Sequence, residues 1–60
     1  MNAEEHTHQG IAFYQQGNLD EAIVHFHKAV QLNPDNPVAY HYLGMSLQGK
    51  KRLDEAVACY

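Results

Sequence analysis

The sequence predicts an all-α chain built as a helical repeat, and three observations carry that reading. Apolar residues return with the 3.6-residue period of one helix face, as at Ala22, Ile23, Phe26, Ala29 and Val30; a strand would alternate every second residue instead. Each helical run is bounded by residues that start or stop helices. The chain also resembles itself at a shift of 34 residues, which lays Gly10 on Gly44 and Leu19-Asp20-Glu21-Ala22 on Leu53-Asp54-Glu55-Ala56. Self-similarity at that period marks a repeat array.

The first helix is predicted from about Ala3 to Gln16. Asn2 stands three residues before Glu5, the spacing of a capping box, and Gly17 lies just past the end, where a left-handed residue closes the backbone at least cost. A second helix spans about Leu19 to Leu32. Asn18 with Glu21 is a second candidate capping box, Asp20 and Glu21 put negative charge where the helix dipole favours it, and Asn33 precedes Pro34, which drives it out of the helical region. Pro34-Asp35-Asn36-Pro37 is then a turn, with Asn36 capping a third helix and Pro37 in its first position.

The third helix runs to about Gly49 and marks a packed face with Tyr40, Leu43, Gly44 and Leu47 at i, i+3, i+4 and i+7. Lys51 falls where the first repeat has Gly17. Either the helix ends sooner, or Lys51 turns left-handed at a cost of about 1–2 kcal/mol. A fourth helix begins near Leu53, repeating the start of the second, and the sequence stops at Tyr60, the counterpart of Phe26.

These residues resemble a known family. Gly10-x2-Phe13, Ala22-x3-Phe26, Ala29 and Pro34, followed by Tyr40-x2-Leu43-Gly44-x2-Leu47 and Ala56-x3-Tyr60, are similar to the tetratricopeptide repeat, a pattern of 34 residues. The resemblance covers Ala3 to Tyr60. It implies antiparallel helix-turn-helix hairpins stacked as an α-solenoid: a first repeat over 3–36 and a second, incomplete one over 37–60 whose last helix is truncated. Small residues at Gly10, Ala22 and Ala29 then let neighbouring helices approach. His6 and Gln9 depart from the pattern, standing where the family has a large aromatic and a leucine. A polar outer face is what a terminal repeat carries, so the expectation is the N-terminal piece of a longer array.

Composition sets bounds on function. A chain of 60 residues buries only about 60% of its unfolded surface and is marginal without a staple. Cys59 is the only cysteine, so no internal disulfide forms, and a reduced, cytoplasmic setting is expected. No apolar run approaches a membrane span. Four basic against seven acidic side chains disfavour a nucleic-acid partner.

Catalytic and metal chemistry find little support in the residue pattern. His6 with His8, and His25 with His27, are His-x-His pairs on helices, which turns the two side chains about 200° apart, whereas helical ligand pairs use i, i+3 or i, i+4. His41 would have to come from another helix. Cys59 has no fixed base or pocket beside it. Glu21 and His25 read as a surface pair at i, i+4, and Lys50, Lys51 and Arg52 as cations at a helix C-terminus balancing its dipole. No cofactor is expected.

What remains is a surface. The resemblance implies a concave groove lined by the first helices of successive hairpins, which binds peptide segments of partner proteins. The matching positions are Glu4, Thr7, Ile11, Tyr14 and Gln15, then Val38, His41, Met45 and Gln48. The alternative for these residues is plain solvent exposure beside a scaffold's core. Some family members grip a C-terminal carboxylate with a lysine and asparagines. Here Thr7 and Ile11 replace the lysine and asparagine, and His8 and Tyr42 stand where some members carry an asparagine, so that clamp does not carry over. The expected function is a non-catalytic protein-interaction or scaffold module that takes a peptide or self-associates by stacking repeats. The alternative is the substrate-presenting arm of a larger enzyme, such as a glycosyl- or methyltransferase.

Overall fold

Asn2 and Glu5 open the fold with a reciprocal cap. The Asn2 side chain accepts the Glu5 backbone N–H at 2.8 Å, and the Asn2 backbone N–H donates to Glu5 Oε1 at 3.3 Å. The computed structural model describes residues 2–58, with side chains through residue 56. Its elements are α1 (Ala3–Gln15), α2 (Leu19–Leu32) and α3 (Pro37–Ala58), with no strand among the described residues. Tyr60 and Cys59 lie outside the described residues.

Gly17 ends α1 as its sequence position predicts. It is left-handed at φ +84°, its N–H donates to the Tyr14 carbonyl, and the Asn18 N–H donates to the Phe13 carbonyl. Those two bonds make a Schellman turn that satisfies the last carbonyls of the helix. The predicted capping box of Asn18 and Glu21 is absent. Asn18 is fixed by the Schellman turn and makes no side-chain cap bond; its amide donates instead to Gln16 Oε1 at 3.3 Å. At the other end of α2, Asn33 is extended before Pro34. Asn36 caps α3 by accepting the Ala39 N–H at 3.2 Å, with Pro37 the first helical residue.

The α1–α2 hairpin and the near half of α3 form the core. Ala22, Phe26, Ala29 and Ala39 are fully buried and Leu43 nearly so, with Ile11, Phe13, Tyr14, Ile23 and Tyr42 packed around them. Small residues set the spacing. A Cβ added at Gly10 would lie 2.6 Å from the Phe26 ring, so α1 and α2 meet this closely only because Gly10 has none. Phe26 in turn stacks on Tyr42 with ring centroids 5.7 Å apart, which ties the hairpin to α3. Ser46 is fully buried, and its hydroxyl has no partner among the described residues.

The far half of α3 departs from the expectation of two helices over about 37–49 and 53–60. One helix continues through Gly49–Arg52, and residues 51–56 are all exposed. Neither predicted turn forms there. Lys51 lacks the freedom that Gly17 uses, and among the described residues none but glycine takes a positive φ. Gly49 serves packing rather than a turn: a Cβ there would sit 3.1 Å from the Leu19 side chain. One residue on, Lys50 Nζ forms an ion pair with Asp20 at the start of α2.

This continuity changes the second repeat's packed face. Leu43 is buried as predicted, but Tyr40 and Leu47 are about half exposed, and a Cβ at Gly44 would meet nothing within 4 Å. Ala56 and Leu53 are exposed too. Among the described residues no helix lies across that face as α2 lies across Gly10.

Candidate functional site

The side chains predicted to line a groove lie on α1 and α3, which α2 holds side by side. A single polar link sets their spacing. Thr7 Oγ1 donates to the Ala3 carbonyl at 2.8 Å and accepts from the Asn36 side-chain amide at 3.1 Å, while the Asn36 carbonyl oxygen caps α3. Thr7 is therefore a buried strut between the helices, 5% exposed. Its hydroxyl is spent on that link.

Above it lies an open cavity of about 390 Å³ lined by Ala3, Glu4, Thr7, His8 and Ile11 from α1, Asn33, Asp35 and Asn36 from the turn, and Pro37 and Val38 from α3. Of the predicted groove residues, Glu4, Thr7, Ile11 and Val38 meet here. Ile11 and Val38 give an apolar wall, and Glu4, His8 and Asp35 a polar rim. The turn residues were not foreseen as lining. Their position at the junction of α2 and α3 is the signal that points to them, because the connection between two hairpins closes one end of the groove.

Beyond the cavity, Tyr14 packs edge-on against Tyr42 at 5.6 Å, and His41 meets the same ring at 5.8 Å. Tyr14 is half-buried and belongs as much to the core as to the groove. Val38, His41, Met45 and Gln48 follow one another at helical spacing along one face of α3; His41 and Gln48 are exposed and Met45 is half-buried. Gln15 is exposed near the end of α1.

The histidines are arranged in a way their spacing does not reveal. His6 of α1 and His25 of α2 meet with Nδ1 atoms 3.1 Å apart and ring centroids at 5.4 Å, and Phe13 stacks on His25 at 5.5 Å. His25 is thus a half-buried interhelical contact rather than half of a surface pair with Glu21. The His6 pKa lies below its ordinary value, chiefly because partial desolvation disfavours the charged ring, then because His25 and Lys28 are near; Glu5 opposes them. His8 and His27 are exposed. Among the described residues no group of three or more His, Cys, Asp or Glu side chains is placed to hold a metal ion.

The basic cluster also sits differently from its sequence reading. Lys50, Lys51 and Arg52 lie within α3 and not at a helix end. The Lys50 pKa is raised by its hydrogen bond to Asp20 and by that carboxylate's charge. Among the described residues, no helix is long and apolar enough to cross a membrane.

Against this geometry the comparisons with known proteins are consistent. A family model described as TPR repeat matches residues 10–51. The chain is similar to the Hsp70-Hsp90 organising protein of Plasmodium falciparum, 40% identical over 42 residues that make up 70% of this chain and 7% of that protein. It is 33% identical over all 60 residues to the peroxisomal targeting signal receptor of Candida albicans, of which it covers 10%. It is also 34% identical over 56 residues to the TPR repeat-containing thioredoxin TTL4 of Arabidopsis thaliana, 93% of this chain and 8% of that protein. The chain thus spans a tenth or less of the length of these relatives. No solved structure gives a significant match. These relatives lend no support to a transferase arm.

Proposed function

Because the chain belongs to the TPR repeat family, we propose that it is a protein-protein interaction module whose α1–α3 groove receives a segment of a partner protein. One observation carries the reading. Glu4 and Ile11 of α1 and Val38 of α3, far apart in sequence, line one cavity large enough for a side chain or two of a peptide. Two relatives support it by name, one an Hsp70-Hsp90 organising protein and one a peroxisomal targeting signal receptor.

The residues define what the groove offers. Its wall buries an apolar side chain against Ile11 and Val38, and its rim offers Glu4, His8 and Asp35, with no lysine or arginine among the lining residues. Thr7 gives its one O–H to the Ala3 carbonyl and has no donor left for a carboxylate, and Asn36 has one amide N–H on Thr7 and its side-chain oxygen on the Ala39 N–H. The groove itself supplies no nucleophile with an orienting base, and no catalytic role is proposed. A cytoplasmic setting fits a chain whose only cysteine pairs with nothing internally.

The test is selection of peptides from a random display library, followed by mapping of the bound peptide by NMR shift changes. Shifts are expected on Glu4, Ile11 and Val38. Val38→Asp and Glu4→Lys, both at exposed sites, are expected to weaken binding about tenfold or more with helicity unchanged, while His27→Ala leaves it intact. Shifts confined to another face, or Val38→Asp binding like the native chain, would overturn the reading.

A further inference from the structure

The His6–His25 contact is a feature the groove does not use. Two helices bring the Nδ1 atoms of two half-buried imidazoles to 3.1 Å, and Phe13 holds the His25 ring by stacking on its face. In the neutral pair one Nδ1 carries a proton and donates it to the other. Two nitrogens bound to one zinc ion at about 2.0–2.1 Å stand roughly 3.3 Å apart in a tetrahedral site, and roughly 2.9 Å apart at a right angle. The observed spacing lies between the two.

We propose that His6 and His25 form a two-imidazole site for a divalent transition metal of the zinc or copper type, which clips α1 to α2. The ion takes the place of the shared proton. The ring that donates moves its proton from Nδ1 to Nε2, so both Nδ1 lone pairs become ligands and no net proton is released. Small rotations of the rings aim both lone pairs at one point, and water completes the coordination shell, since both rings keep part of their surface in solvent. Borderline metals that favour imidazole fit this donor set, whereas magnesium and calcium demand oxygen.

Neighbouring charges limit affinity to the weaker end of such sites. Lys28 adds positive charge beside His6, and Glu5 opposes it. The gain is a crosslink between two helices in a chain with no internal disulfide. A ligand that binds the folded hairpin alone raises its stability by mass action. The sequence hides this site, because each histidine pairs by spacing with a neighbour that points the other way.

The experiment is thermal unfolding of the 60-residue chain followed by circular dichroism, with zinc chloride up to about 1 mM and magnesium chloride as the comparison. Zinc is expected to raise Tm by about 5 °C, magnesium to leave it unchanged, and the rise to survive in the double variant His8→Ala, His27→Ala and vanish in His6→Ala and in His25→Ala. Imidazole ¹⁵N shifts on the native chain give a readout that needs no variant: among the histidines only His6 and His25 respond to zinc, at both Nδ1 atoms and at Nε2 of the ring that changes tautomer. No rise in Tm and no movement of those resonances overturns the site, as does a rise that depends on His8 or His27.

Discussion

Gly10 and Gly44 occupy the same place in two copies of one sequence pattern and opposite places in the structure. The first lies under the Phe26 ring, too close to accept even a Cβ, while the second has nothing within 4 Å of where a Cβ would stand. Their neighbours divide the same way. Phe13 is packed against α2, whereas Leu47, its counterpart, is 47% exposed. The sequence pattern prepares a face for burial, and only a helix laid across that face makes it core. Stability in such an array is accordingly a sum of helix and neighbour terms, and here the first repeat holds the larger share.

The largest expected effect tests that asymmetry directly. Phe26 is fully buried between Gly10 and Tyr42, so Phe26→Ala should cost about 3–5 kcal/mol in urea unfolding. Leu47→Ala, at a half-exposed site, should stay within about 0.5 kcal/mol. Equal losses would mean that a helix covers the second repeat's face in solution.

The two glycines give a sharper version. Gly10→Ala drives a methyl into a ring with nowhere to move and should destabilise by about 1–3 kcal/mol. Gly44→Ala places the same methyl in open space within a helix and should stabilise by up to about 1 kcal/mol. The opposite signs are the point. A loss at Gly44 would show that residues beyond Arg52 fold back over it.

Why they do not fold back is a question about one residue. Lys51→Gly supplies at the second position the freedom that Gly17 uses at the first. Breaking the middle of α3 with glycine costs about 1 kcal/mol of helix, so the helical circular dichroism signal should fall as α3 shortens towards residue 50. An unchanged signal would show that Lys51 is not what keeps α3 straight.

Much of this was legible because the signals are local. The caps at Asn2 with Glu5 and at Asn36 with Pro37, and the left-handed Gly17, each involve groups within a few residues of one another, and spacing alone places them. Asn18 failed for an instructive reason. The Schellman turn at Gly17 takes the Asn18 backbone N–H, which a capping box would give to Glu21, and the Asn18 side chain turns to Gln16. The straight α3 was hidden differently: the repeat pattern describes a hairpin, but Lys51 withholds its turn, and Gly49 and Lys50 find partners on Leu19 and Asp20. Thr7 lines the groove cavity where its position predicts, but its second part as a buried strut stays hidden in sequence because Asn36 arrives from 29 residues away.

The smallest expected effect concerns the two repeats' aromatic positions. Tyr40 occupies in the second repeat the place His6 holds in the first, and only the histidine titrates near neutrality. The folded chain lowers the His6 pKa below its ordinary value of 6.5, so the folded state binds a proton less readily than the unfolded one. The contribution is therefore complete above the unfolded value and is lost as pH falls from 6.5 towards the folded value. The charge on a protonated His6 is disfavoured by partial desolvation and by His25 and Lys28 beside it. In metal-free buffer, Tm should decline modestly between pH 7 and pH 5, and more steeply for the native chain than for His6→Tyr, which gives the first repeat the second repeat's residue. A variant that declines as steeply as the native chain would place the acid sensitivity in other groups.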